Sequence, residues 1–171
     1  ELEEAPDKPR AIPGAAIPQR TVDEKTETML LNVLQKHFGH DSFRDGQAWA
    51  IDRVLRPTYS SNQSTLAILP TGAGKSLCYQ LPAVLLEGLT LVVSPLIALM
   101  KDQVDALRER GIPAARFDSS LSADEAKEVY SEMHRGSLKL LYVAPERLAN
   151  ENFRQQLART NISLLAIDEA H

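Results

Sequence analysis

From Leu66 onward, short apolar runs alternate with amphipathic stretches of helical length. Leu66–Leu69, Leu89–Val93, Ala114–Phe117, Leu138–Val143 and Leu164–Ile167 predict strands. The stretches between them, near 76–86, 96–110, 122–135 and 145–157, predict helices. Strands separated by helix-length crossovers are too far apart in the chain for hairpins and pair in parallel. A parallel sheet needs both faces covered, so the expectation is a three-layer α/β sandwich with helices on each side.

Ahead of this pattern, Leu30, Val33, Leu34 and Phe38 recur at helical spacing, and Gly39 follows as a helix stop. A second helix is expected from Asp45 to Leu55, with Trp49, Ile51 and Leu55 as its inner face. Residues 1–21 contain Pro6, Pro9, Pro13 and Pro18, which exclude a continuous helix and predict a flexible leader. The folded unit is therefore expected over 22–171, with helices in 22–56 preceding the sheet. At 171 residues, 43% apolar and 25% charged, the chain has the makeup of one soluble domain. A net charge of -4 argues against nucleic-acid binding through bulk charge but leaves room for a local basic groove. A single cysteine, Cys78, rules out an internal disulfide framework and fits a reducing compartment. No apolar run is long enough to cross a bilayer and no signal-peptide pattern opens the chain. The expectation is an intracellular protein with no membrane partner.

Between the first expected strand and the helix after it lies Leu69-Pro70-Thr71-Gly72-Ala73-Gly74-Lys75-Ser76. This is a phosphate loop in its required setting. Gly72 and Gly74 let backbone N–H groups close on an oxyanion at a helix N-terminus, with Thr71 and Ala73 completing the cradle. Lys75 brings a point charge to the β- and γ-phosphates, and the Ser76 hydroxyl is a magnesium ligand. The strict pattern has glycine where Leu69 stands. A second piece comes from Leu164-Leu165-Ala166-Ile167-Asp168-Glu169, four apolar residues ending in two acids. Asp168 suits magnesium, and Glu169 suits a water that attacks the terminal phosphate. ATP and Mg2+ are the expected cofactors, with Lys75, Asp168 and Glu169 as the catalytic set. The second acid favours hydrolysis over transfer to a small molecule.

The ending Asp168-Glu169-Ala170-His171 resembles the second motif of superfamily-two helicases. Phe38-Gly39 followed by Phe43-Arg44-Asp45-Gly46-Gln47 is similar to the adenine-recognition motif of RecQ-family DNA helicases. Leu69 through Ala83 resembles that family's phosphate-loop motif, in which an apolar residue replaces the first glycine. Val93 to Gln103 resembles its motif Ia, and Tyr142 to Leu148 its motif Ib. The resemblance spans about Leu31 to His171 and implies a RecA-like first motor lobe, a phosphate-loop NTPase fold.

It further implies ATP-driven 3′-to-5′ translocation on single-stranded DNA and unwinding at duplex junctions. Gln47 would read the adenine edge, Arg44 would stack on the base, and His40 stands where many members carry an aromatic residue. Ser94, Pro95, Lys101 and Arg147 would touch DNA phosphates, with Ser94-Pro95 and Ala144-Pro145-Glu146 also serving as helix starts. His171 would couple hydrolysis to the DNA. His37 and His134 carry no motif, and no histidine metal site is expected. The family continues past its second motif into an aromatic-rich loop and a second RecA-like lobe with an arginine finger. The stretch in hand, incomplete at its C-terminal side, is expected to bind nucleotide weakly and not to hydrolyse it usefully alone. Location follows by family, cytoplasm in bacteria or nucleus in eukaryotes, as do recombination and repair. An RNA-directed or other superfamily-two translocase, and a non-catalytic nucleotide-dependent binding module, are the competing readings.

Overall fold

The computed structural model describes residues 21–56, 64–69 and 72–169. The expected leader, apart from Thr21, lies outside them, as do Thr71, Ala170 and His171.

Helix α1 (Glu24–Phe38) begins where the Asp23 carboxylate accepts the Thr26 N–H, with Glu24 and Glu27 in the positive first turn. It ends at Gly39, whose φ of 70° lets its N–H bond back to the Gln35 carbonyl. Leu30, Leu34 and Phe38 form its buried stripe. Helix α2 (Gln47–Leu55) follows. Its inner face is Gln47, Ala50, Ile51 and Asp52. Trp49, expected inside, is only half-buried, and a polar residue, Gln47, takes the interior position.

Helix α3 (Leu77–Leu85) is buried over most of its circumference. Strand β1 (Leu89–Val93), helix α4 (Ile97–Glu109), strand β2 (Ala114–Phe117), helix α5 (Ala123–His134) and strand β3 (Leu140–Val143) come next. A 3-10 turn (Pro145–Ala149), helix α6 (Glu151–Ala158) and strand β4 (Ile162–Ile167) complete the order. The sheet runs β2-β3-β1-β4 with every pairing parallel, as the crossover spacing requires. Helices α1 to α4 cover one face, where Leu30, Leu34, Ile51, Leu81, Met100 and Tyr142 pack together. Helices α5 and α6 cover the other, around Phe117, Val129, Met133, Leu141 and Phe153. The three-layer expectation holds.

Three local expectations do not. Leu66–Leu69 forms no strand, and Leu66 and Ile68 are 78% and 86% exposed. An apolar run becomes a strand only with a hydrogen-bonded ladder beside it, and this run joins none. The single helix expected over 145–157 is two pieces, because the Asn150 side chain accepts the Phe153 N–H at 3.0 Å and starts α6 afresh. Ser94 does not cap α4; Leu96 holds the cap position, and Ser94 is buried with its hydroxyl lacking a hydrogen-bond partner among the described residues. Helix α5 does carry its predicted cap, a capping box between Ser122 and Glu125.

Candidate nucleotide site

Both sequence-predicted halves of the site arrive at the C-terminal edge of the sheet, the edge at which open parallel sheets hold ligands. Ser76 is the residue before α3, and its hydroxyl makes no capping bond to that helix. Lys75, just before it, reaches across to the end of β4, where its Nζ lies 3.5 Å from Glu169 Oε1. Both side chains are partly exposed, at 36% and 25%, so the pair is open to solvent and to an incoming anion. Glu169 itself holds a left-handed backbone, φ 53°, which costs a non-glycine residue roughly 1–2 kcal/mol. Its N–H bonds to Asp168 Oδ1 at 3.0 Å. Asp168 Oδ2 receives the Tyr79 hydroxyl at 3.3 Å.

The adenine motif docks directly on the phosphate loop. Arg44 Nη1 donates to the Gly72 carbonyl. Gln47 Nε2 donates to the carbonyls of Ala73 and Gly74, each at 3.0 Å, while its Oε1 accepts the Arg44 N–H at 2.8 Å. Gly74 is required twice over: its φ is 73°, and a Cβ there would stand 2.7 Å from Gln47 Nε2. Both amide protons of Gln47 are thus spent on the loop, and Oε1 keeps a second lone pair for an outside donor such as an exocyclic amine. A cleft of about 340 Å³ opens beside Arg44, lined also by Val22, Glu27, Phe43, Gly46 and Trp49. His40 is exposed and does not line it.

The residues expected on DNA are spread along the same sheet edge with different surroundings. Pro95 is exposed, and Lys101 is exposed with its ammonium 2.8 Å from Asp105 on the next turn. Arg147 is turned inward: its guanidinium lies 5.2 Å from the Phe117 ring centre and Nη2 donates to the Asp118 carbonyl at 2.5 Å. Sequence reasoning missed four groups behind the site, Tyr79, Gln80, Gln103 and Tyr142, and also Asp118. The first four lay within the quoted motif stretches without a role of their own; a tyrosine and a glutamine side by side within an apolar helix were the available signal. Cys78 is buried, and burial pushes its thiol up to about 11, which makes it a poor nucleophile.

Asp118 is fully buried, with Arg116 Nη1 and the Ser120 N–H and hydroxyl donating to it. Burial opposes its charge, but the Ser120 bonds and the Arg116 guanidinium prevail and hold its pKa below the ordinary 3.8. A depressed folded-state pKa stabilises the fold above the unfolded value and loses that contribution as pH falls through the folded one. Asp118→Asn is therefore expected to cost about 2 kcal/mol near neutral pH and to flatten the acid-side loss of stability. Urea midpoints followed from neutral pH to about pH 3 check this; parallel curves for the two proteins would refute it.

A loop lysine faces a strand-end acid with a second acid alongside, on a parallel sheet covered on both faces. The model of the DEAD/DEAH box helicase family matches residues 44–171, and the chain belongs to that family. Among its relatives, the ATP-dependent DNA helicase RecQ of Bacillus subtilis is 47% identical over 140 residues, covering 82% of this chain and 23% of that protein. RecQ of Pasteurella multocida is 48% identical over 141 residues, 82% of this chain and 22% of its own length. The ATP-dependent DNA helicase Q-like 5 of Arabidopsis thaliana is 45% identical over 149 residues, 86% of this chain and 16% of its own. The chain thus spans about a quarter or less of these relatives. No helix among the described residues is long and apolar enough to cross a membrane.

Proposed function

We propose that the intact protein is an ATP-dependent DNA helicase of the RecQ type, using ATP hydrolysis to move 3′ to 5′ along single-stranded DNA and open duplex junctions. The observation that carries this reading is the approach of Lys75 to Glu169, 94 positions apart in sequence and 3.5 Å apart in space. Lys75 meets the β- and γ-phosphates on the Thr71–Ser76 cradle, and Glu169 accepts a proton from the attacking water. Arg44 and His40 flank the base and Gln47 Oε1 accepts from its amino group.

Magnesium fits the donors present. It takes one or two protein oxygens and fills its remaining positions with water and phosphate, so no cluster of acids is needed. Ser76 and Asp168 would hold it, and it would neutralise charge on the transferring phosphoryl group. Pro95, Lys101 and, after release from Phe117, Arg147 form the DNA track, with the buried Ser94 beneath it, and His171 links that track to the acids. A second RecA-like lobe supplies the arginine that completes the site. The working location is the DNA compartment, cytoplasm or nucleus by organism, with roles in recombination and repair.

The test uses the full-length protein with ATP and either single-stranded DNA or RNA of matched length. DNA should raise the ATPase rate at least tenfold above RNA at equal nucleotide concentration, with displacement of a strand from a 3′-tailed duplex. Preferential stimulation by RNA would replace this reading with an RNA-directed translocase. Indifference to both polymers would leave a nucleotide-binding module.

A further inference from the structure

Behind Asp168 runs a chain of buried polar side chains that the proposed hydrolysis does not use. Tyr79 and Tyr142 are 9% and 1% exposed, their rings meeting edge-on with centres 6.3 Å apart. Gln80 Nε2 donates to the Tyr142 hydroxyl at 3.0 Å and to Gln103 Oε1, on α4, at 2.5 Å.

Proton counting gives this chain a direction. An ionised Asp168 can only accept, so Tyr79 spends its one proton on Oδ2. Gln80, next to Tyr79 on α3, donates to the Tyr142 hydroxyl, and the two tyrosine rings pack edge to edge. Apolar residues of similar shape would fill this space without the cost of burying two phenols and an amide. A polar network in such a place fixes one geometry. Here the geometry is that of a carboxylate, since the Glu169 N–H holds its other oxygen.

We propose that Tyr79, Tyr142, Gln80 and Gln103 are positioning residues that aim the Asp168 carboxylate and tie its orientation to α4. The proposal rests on the reading of Asp168 as the magnesium carboxylate. Helix α4 starts at Ile97, three residues after Ser94, at the end of β1 where the DNA track is placed. A shift of α4 therefore pulls on Gln103, and through one amide on the tyrosines and the acid.

The experiment uses the full-length protein and a fluorescent ATP analogue, titrating Mg2+ and reading nucleotide binding by anisotropy, with ATPase measured in parallel. Tyr79→Phe keeps the ring and removes only the donor. It should raise the Mg2+ concentration at half-maximal binding about tenfold, with Mg2+-free nucleotide affinity and the melting temperature near wild type. Gln103→Leu should shift the same midpoint in the same direction, and Gln103→Glu, which keeps the acceptor oxygen, should restore it. Should Tyr79→Phe fail to fold, Tyr142→Phe, which removes the hydroxyl that Gln80 meets, is read in its place. An unchanged Mg2+ midpoint in a folded phenylalanine variant, alongside an Asp168→Asn protein that has lost its Mg2+ response, overturns the relay. A wild-type Mg2+ response in Asp168→Asn overturns the reading of Asp168 itself.

Discussion

Glu169→Gln in the intact protein is expected to retain ATP binding while its DNA-stimulated ATPase falls by roughly 10²–10⁴-fold, the usual worth of a positioned general base. The substitution preserves shape and hydrogen bonding, so a collapse of the loop would not explain the loss. It also removes the negative charge that stands 3.5 Å from Lys75 Nζ. Nucleotide affinity should therefore hold or tighten, because the ammonium no longer exchanges a carboxylate for a phosphate. Single-turnover hydrolysis together with equilibrium binding of ATP separates the two effects. A variant that hydrolyses ATP within a few-fold of wild type would remove Glu169 from the catalytic set.

The second large effect lies in the other layer. Phe153 is 0% exposed and stacks on Phe117 with ring centres 4.8 Å apart and planes 10° from parallel. Tyr130 closes the cluster at 6.4 Å. Phe153→Ala removes a ring from a site fixed by the Asn150 cap on one side and β2 on the other, so collapse into the void is limited. A loss of about 3–5 kcal/mol is expected, against a total of about 5–15 kcal/mol for an ordinary domain. Urea unfolding followed by circular dichroism measures it; a loss below about 1 kcal/mol would mean that the two faces of the sheet are not equally tight.

The parts of this molecule legible in the sequence are those where chemistry or backbone geometry narrows the choice of residue. Gly74 has to be glycine, Lys75 has to be cationic, and Asp168-Glu169 has to end a strand, so the spacing points to the candidate phosphate site. The capping box at Ser122 and Glu125 is equally explicit. Pairing is less so. Leu66–Leu69 has the composition of a strand, but composition records a preference for burial and says nothing of which ladder is within reach. Nor does a sequence reveal partners across long separations. Gln47 looked like a base reader on a surface helix; its buried amide is held by the loop itself. Tyr79, Gln80, Gln103 and Tyr142 are each unremarkable alone, and only the stacking of α3 and α4 on one face of the sheet makes them a line.

Strand β4 has one further consequence. It closes the sheet order on one side, with Leu165 and Ile167 57% and 63% exposed, and among the described residues nothing pairs with its outer edge. An open, apolar edge is a template on which a second chain can add strands. A preparation of these residues by themselves would accordingly self-associate as its concentration rises. Heating would then report the onset of precipitation, a scan-rate-dependent kinetic event, in place of an equilibrium between folded and unfolded chains.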